Sequence, residues 1–103
     1  MLQHKQLSVD SIRGIVFDFP EVGDVLPIHT HDDTNVHITI CARGKLRVFS
    51  NQFELEISAG EIWDWEAGVY HGFEALEPNS RIINIIKDYA TPNSEIIQTD
   101  IDH

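Results

Sequence analysis

The sequence predicts an all-β protein, a sandwich or barrel of eight or so short strands. β-Branched and aromatic residues fall in short segments, which glycine, proline, asparagine and serine separate at intervals typical of strands and turns. Several segments alternate apolar and polar residues, as a strand with one buried face does. The chain has 103 residues, a length that suits one domain around one hydrophobic core. We therefore expect a single domain over residues 1–103.

Individual segments support this prediction. The segment Val25–His31 contains Pro27, which lacks a backbone donor and therefore favours a sheet edge or a bulge. The clearest feature is a hairpin, in which KLRVFS and QFELEI flank a turn at Ser50-Asn51. The predicted strands are Ile12–Phe19, Val25–His31, Val36–Ala42, Lys45–Ser50, Gln52–Ile57, Glu61–Trp65, Tyr70–Leu76 and Arg81–Tyr89.

The segment at 81–89 also fits a helical stripe. Four of its residues, in five consecutive positions, are isoleucine, which favours a pleated sheet. The neighbouring elements are all strands, so we predict a strand here too. The polar tail at 91–103 is compatible with an extra strand or with a mobile end.

Charge and cysteine usage exclude several classes of partner. The net charge is −10 and the seven basic residues are scattered, which argues against binding to nucleic acid or to an anionic membrane. Cys41 is the only cysteine, so an internal disulfide is impossible and a reducing compartment is favoured. Residues 1–11 lack the apolar run of a signal peptide, and no segment is long enough to cross a bilayer. We expect a cytoplasmic protein.

Three of the six histidines lie between Gly23 and Gly44. In a strand His29 and His31 share a face about 6.6 Å apart, and a metal–nitrogen bond of about 2.0–2.1 Å lets two such imidazoles bind one ion. His37 joins them only if the chain reverses. The turn-forming residues 32–35 predict a hairpin that lays the strand from Val36 beside the first. Three histidines on two adjacent strands outline a metal site.

These residues resemble a known family. The runs Gly23-x5-His29-x-His31 and His37-x6-Gly44 are similar to the first motif of the cupins, small β-barrels with one metal inside. The second cupin motif is matched by Gly60-x5-Glu66-x-Gly68-x2-His71. The resemblance covers roughly residues 20 to 87, and the two motifs together are more specific than either alone.

The resemblance implies a cupin-type jelly-roll barrel with four metal ligands: His29, His31, His37 and His71. Three positions depart from the family pattern. His37 stands where a glutamate is usual, Glu66 where proline is usual, and Ala75 where an asparagine often ends the motif. His37 is assigned by its spacing to Gly44; counted from His31, the usual glutamate falls at Asn35 or Val36.

Four neutral imidazoles would leave the full charge on the ion, which favours bound anions and lowers the pKa of bound water. Iron, manganese, nickel, cobalt, copper and zinc all accept imidazole, so the site predicts one divalent transition metal of unspecified identity. In octahedral geometry two positions stay free for O₂ and a substrate oxygen. That is the arrangement which the resemblance to metal-dependent cupin dioxygenases implies.

Three functions follow as hypotheses. The first is a mononuclear metal dioxygenase that oxidises a small-molecule substrate. The second is a metal-dependent isomerase or lyase that acts on a small carbonyl compound or sugar acid, and the third is a non-catalytic cupin that holds a metal or a small anion. Candidate acids and bases are Tyr70, Glu74 and Asp64, with Cys41 as a further one. Thr39 and Cys41 share the strand face of His37 and are predicted to line the pocket.

Other residues have less specific predictions. Glu74 is a candidate acceptor for the free N–H of a ligand imidazole. Trp63 and Trp65 are expected to supply core or interface bulk, and solvent exposure is expected for Asp32, Asp33, His4 and His103. Opposite His37, the strand at 36–42 has a wholly apolar face. A small barrel has no second layer to cover that face, so we predict a homodimer.

Overall fold

Two antiparallel sheets form the protein in the computed structural model, which describes residues 1–29, 34–50, 53–65 and 71–88. Within those ranges the strands are β1 Gln3–Val9, β2 Ile12–Phe19, β3 Val25–His29, β4 Thr34–Arg43, β5 Lys45–Phe49, β6 Glu54–Ser58, β7 Ile62–Asp64, β8 His71–Ala75 and β9 Ser80–Asp88. The strand orders are β1-β2-β9-β4-β7 in one sheet and β3-β8-β5-β6 in the other. Across these ranges we find no helix long and apolar enough to span a bilayer.

Consecutive strands repeatedly change sheet, which confirms the predicted all-β jelly-roll architecture. The facing sides of the two sheets carry the alternate apolar residues that periodicity predicts to be inside. The fully or almost fully buried apolar core consists of Ile15, Phe17, Phe19, Leu26, Cys41, Leu46, Val48, Ile57, Phe73, Ala75, Ile82 and Ile86. A strand at the isoleucine-rich segment, rather than a helix, is also confirmed as β9.

The first strand, β1, is absent from the prediction. All seven of its residues are exposed, so its sequence lacks the alternation that marks a half-buried strand. Backbone pairing holds it beside β2, from Gln3 opposite Asp18 to Val9 opposite Ile12. Its position in the sheet is set by the partner strand and not by burial of its own side chains.

The proline in β3 has the consequence expected from its missing donor. β3 is the edge strand of the four-stranded sheet, and its pairing with β8 shifts register between Leu26 and His29. Both the predicted edge position and the predicted bulge are confirmed.

The predicted hairpin between the first two histidine strands is wrong. β3 pairs with β8 in the four-stranded sheet, whereas β4 pairs with β7 and β9 in the other. Thr34 and Asn35, taken as turn residues, belong to β4. Turn-forming side chains favour a change of direction but do not specify which sheet receives the next strand. His37 therefore approaches the other histidine strands across the barrel and not along a shared ladder.

The motif glycine at position 44 is required by a close approach. Gly44 has φ +83, and a Cβ at this position would lie 2.9 Å from Ser80 Cα and against Ser80 Oγ. Any side chain would push apart the β4–β5 turn and the start of β9. Gly23 and Gly60 also have positive φ, so all three described motif glycines occupy conformations that other residues rarely adopt.

The outer face of the five-stranded sheet is rich in apolar residues. At its centre Ile38 lies opposite Ile85, and Ile40 lies opposite Ile83; all four side chains are half-buried. Toward the edges the face carries the more exposed Leu7, Val9, Ile12 and Ile62. Its charged residues are of both signs: Lys5, Lys87, Arg81, Asp18 and Asp64. Two copies of a chain with net charge −10 repel each other overall. Because this face carries charges of both signs, two copies can bring these faces together without strong repulsion.

The homodimer stays a prediction, and this outer face is where we expect the two copies to meet. Five strands give it dimensions of about 20 by 25 Å, a projected area of about 500 Å², which is at the low end of interface sizes per partner. Light scattering at micromolar concentration should give twice the 11.7 kDa chain mass, and Ile85→Lys should reduce it to the monomer mass.

Val25→Lys, on the exposed edge of the other sheet, is the matched control and should remain dimeric. A wild-type mass of 11.7 kDa would show instead that the face tolerates solvent.

An ion pair joins β2 to β9 at the rim of the same face. Arg81 Nε donates to Asp18 Oδ1 at 2.6 Å and Nη2 donates to Oδ2 at 3.3 Å. The hydrogen bond from Arg81 holds the pKa of Asp18 below its ordinary value, against an opposing effect of burial.

Because the pKa of Asp18 is lower in the folded state, its stabilising contribution is complete above the unfolded-state pKa, near ~3.9. This contribution is lost as pH falls through the folded-state pKa. Asp18→Asn should therefore lower the free energy of unfolding at pH 7 by no more than about 1 kcal/mol, because the pair is partly exposed. Urea unfolding should show that the deficit shrinks below about pH 4. Asp10→Asn, at the exposed β1–β2 turn, is the control and should leave the free energy of unfolding at pH 7 nearly unchanged.

Candidate metal centre

Two predicted ligands face each other in the barrel interior. His37 on β4 is 4% exposed and His71 on β8 is 1% exposed. Their ring centroids lie 5.2 Å apart with an interplanar angle of 42°. The two rings come from opposite sheets, so the face-to-face packing of the sheets brings them together.

The separation of these rings fits one shared ion. With a metal–nitrogen bond of about 2.1 Å and a ring nitrogen about 1.1 Å from its centroid, two ligand rings can be up to about 6.4 Å apart. The observed 5.2 Å is within that limit. Neutral imidazole is also a donor that divalent transition metals accept. The chemistry and spacing of His37 and His71 therefore fit a metal centre.

The backbone brings a third predicted ligand position to the same place. His29 is the last residue of β3 and is the register partner of His71 on β8. Directly opposed residues of an antiparallel pair lie within about 5.5 Å of each other. His31 lies outside the described residues. In the part of the chain that the structure describes, no three side chains of the metal-binding types form a site.

The predicted pocket residues Thr39 and Cys41 are fully buried on the strand face of His37. Burial raises the pKa of the Cys41 thiol above its ordinary value. Its sulfur lies 3.7 Å from the carbonyl oxygen of Arg43 and 3.8 Å from that of Gly44. A neutral, buried thiol is a poor nucleophile or base, so Cys41 contributes volume rather than reactivity.

Two of the predicted acid–base candidates lie on outer faces. Asp64 on β7 is exposed and lies opposite Ile38. Glu74 Oε1 accepts hydrogen bonds from Arg47 Nε at 2.9 Å and Nη2 at 2.6 Å. Glu74 alternates with the buried His71, Phe73 and Ala75 along β8, so it points away from the interior.

The structure therefore corrects the predicted roles of Asp64 and Glu74. Neither carboxylate lies beside the buried histidines, and Glu74 serves instead in an ion pair across the outer face of β5 and β8. The third candidate, Tyr70, is outside the described residues, as are Asp32, Asp33, His103 and the tail at 91–103.

Sequence reasoning missed two residues of the interior. Trp65 was assigned to general bulk, but its ring stacks on that of His71 with centroids 4.6 Å apart. Asn84 is 1% exposed and accepts a hydrogen bond from Thr39 at 2.6 Å. One signal was available: Asn84 is the single polar residue within the isoleucine-rich run at 82–86, where a buried amide needs a partner. No pattern distinguished Trp65 from Trp63.

Comparison with known proteins supports the fold. No protein-family model and no curated protein matches the chain. Among solved structures, KdgF from Halomonas sp. has a TM-score of 0.75 at 22% identity, and covers 86% of this chain and 82% of its own. An RmlC-like cupin from Desulfovibrio desulfuricans has a TM-score of 0.75 at 15% identity, over 84% and 81%.

A variant of oxalate decarboxylase from Bacillus subtilis has a TM-score of 0.71 at 17% identity, and the match covers 88% of this chain but 26% of that one. At such identities the likeness establishes the fold alone. The protein has the cupin fold, as the two sequence motifs predicted.

The four-histidine ligand set predicts the outcome of single substitutions. His29→Ala, His31→Ala, His37→Ala and His71→Ala should each lower metal content and affinity, because each removes one donor. Elemental analysis and metal titration would measure this, with His4→Ala and His103→Ala as controls of unchanged metal content. Full occupancy in His37→Ala would remove that residue from the ligand set and leave three histidines.

Proposed function

We propose that the protein is a metal-dependent enzyme of small-molecule metabolism, with a mononuclear centre held by His29, His31, His37 and His71. The observation that carries this proposal is the buried pair of His37 and His71, whose rings lie 5.2 Å apart inside a cupin fold. Two imidazoles from opposite sheets meet where a hydrophobic core would otherwise continue. Burying such polar rings costs free energy, which a bound ion would offset.

The electrostatics of the interior favour an ion that retains its positive charge. The buried polar residues that the structure describes are His37, Thr39, His71, Ser80 and Asn84, and none of them carries a carboxylate. When bound, a redox-active divalent metal would polarise a substrate oxygen and exchange electrons with O₂. A substrate with an anionic oxygen would be attracted by the uncompensated charge.

The protein's own residues would exclude water and orient the ligands. Phe73 meets the ring of His71 edge-on at 5.5 Å, and Trp65 covers one of its faces. Ile86, opposite His37 in the β4–β9 register, is fully buried. These apolar contacts keep the local dielectric low, which strengthens the field of a bound ion.

We favour a dioxygenase-type oxidoreductase over the other hypotheses. An isomerase or lyase that moves protons needs a side chain that exchanges them near the metal. Among the described residues, Asp64 and Glu74 lie outside and the Cys41 thiol is held neutral, which leaves Tyr70 as a prediction. A reaction with O₂ at the metal does not require a protein carboxylate that exchanges protons beside it.

A lyase is the second candidate, because solved structures with this fold include oxalate decarboxylase. Besides the Bacillus subtilis enzyme, they include a formate complex of oxalate decarboxylase from Lactobacillus farciminis. Decarboxylation of a small acid would use the same positive ion to bind the carboxylate.

Two further expectations stay predictions: the non-catalytic cupin that holds a metal or a small anion, and the cytoplasmic location.

The experiment begins with elemental analysis of protein purified without added metal. Metal-loaded protein is then assayed for oxygen uptake and for CO₂ release against a panel of small organic acids that includes oxalate. We expect metal-dependent oxygen consumption that His71→Ala abolishes and that Asp64→Asn, on the outer face, leaves unchanged. CO₂ release without stoichiometric oxygen consumption would support the lyase. Metal binding with neither activity across the panel would favour the non-catalytic cupin.

A further inference from the structure

Trp65 joins the two candidate ligands that come from opposite sheets. It follows β7, and its ring stacks on the ring of His71 with centroids 4.6 Å apart and planes 19° from parallel. Its backbone N–H donates to the carbonyl oxygen of His37 at 2.9 Å. One residue therefore contacts the side chain of one histidine and the backbone of the other.

The ring of Trp65 is anchored by a hydrogen-bonded chain with a defined direction. An indole nitrogen only donates, so Thr39 Oγ1 accepts from Trp65 Nε1 at 2.8 Å. The single hydroxyl proton of Thr39 is then donated to Asn84 Oδ1 at 2.6 Å. Thr39 and Asn84 are register partners on β4 and β9, and both are fully or almost fully buried. The five-stranded sheet thus holds the edge of the indole in place.

The anchored indole restricts how the imidazole of His71 can turn. Trp65 lies flat against one face of the ring, and Phe73 meets it at 89° with centroids 5.5 Å apart. Rotation of the imidazole about its Cβ–Cγ bond would drive it into one of these two aromatic rings. A metal ligand needs this restriction, because its nitrogen must point at the ion.

We propose that Trp65 is a positioning residue for the metal centre: it sets the ring plane of His71 relative to His37 and does not bind the metal. This inference rests on the proposed metal centre. Contacts that orient a ligand typically change metal affinity tenfold to a hundredfold. Loss of the anchor should therefore weaken metal binding while all four histidines remain.

Four single variants of the full chain separate positioning from packing. Trp65→Phe removes the indole N–H and part of the stacking surface. Thr39→Val removes the acceptor and leaves Trp65 in place, and Thr39→Ser restores the hydroxyl. Trp63→Phe is the matched control: Trp63 stacks on Trp65 at 6.3 Å, and its indole nitrogen has no hydrogen-bond partner among the described residues. Circular dichroism and thermal unfolding would verify that each variant folds.

Co²⁺ is the probe, because its visible absorption spectrum reports ligand geometry as well as binding. Trp65→Phe and Thr39→Val should bind Co²⁺ about tenfold to a hundredfold more weakly, with shifted absorption bands. Thr39→Ser and Trp63→Phe should retain wild-type affinity and spectrum. The chain has two tryptophans, so Trp63→Phe reports Trp65 fluorescence alone. With both variants saturated, Co²⁺ should quench that signal more strongly than it quenches the remaining Trp63 in Trp65→Phe.

The results distinguish failure of this inference from failure of the metal centre. Wild-type affinity and spectrum in both Trp65→Phe and Thr39→Val would overturn the positioning role and leave the metal centre intact. An equal loss in Trp63→Phe would also overturn it, since general packing would then explain the effect. If the wild-type protein binds no Co²⁺, the metal centre is overturned and the positioning role falls with it. Should one variant fail to fold, the other carries the same test.

Discussion

Face-to-face packing of the two sheets is the constraint on which the rest of the structure depends. Strands of both sheets contribute alternate residues to the space between the sheets, and most of these are large and apolar, such as Phe19, Phe73 and Ile82. The same geometry places His37 and His71 in contact, although 34 positions separate them in the chain. The candidate metal centre is therefore a part of the core in which imidazoles replace aliphatic side chains, and its geometry cannot change without repacking the sheets.

Polar groups in such an interior cost free energy unless they are partnered. The chain from Trp65 through Thr39 to Asn84 satisfies a donor-only indole, a hydroxyl and an amide oxygen with short hydrogen bonds. It also ties the end of β7 to the middle of the five-stranded sheet. The residues that satisfy the interior are thus the residues that orient His71, so stability and the proposed chemistry depend on the same contacts. Charged residues are sorted to the outside, where Arg47 pairs with Glu74.

The two outer faces differ in a way that is relevant to assembly. On the four-stranded sheet the outer face carries ion pairs, in which Arg47 on β5 meets Glu54 on β6 and Glu74 on β8. On the five-stranded sheet the corresponding face is centred on Ile38, Ile40, Ile83 and Ile85. Alternate side chains of β9 point to opposite faces of the sheet. The side chains on both faces include isoleucines, since one set packs in the core and the other forms the apolar outer face. An isoleucine-rich strand of this kind is expected where a sheet is covered on both sides.

The sequence by itself determined the eight strands β2 to β9, an edge or a bulge for the proline-containing strand, and the cupin fold, because local periodicity, Pro27 and motif spacing depend on near neighbours. It also identified the candidate histidines. Tertiary structure alone decided that β3 and β4 lie in different sheets and that Glu74 and Asp64 face outward. It also decided that Trp65, not Trp63, lies against His71. The sequence did not predict β1, because backbone pairing with β2, and not burial of its side chains, holds this strand in the sheet. Apart from the β1–β2 hairpin, which is local, the deciding contacts join residues far apart in the chain, and a pattern of near neighbours contains no information about which distant strand will pack there.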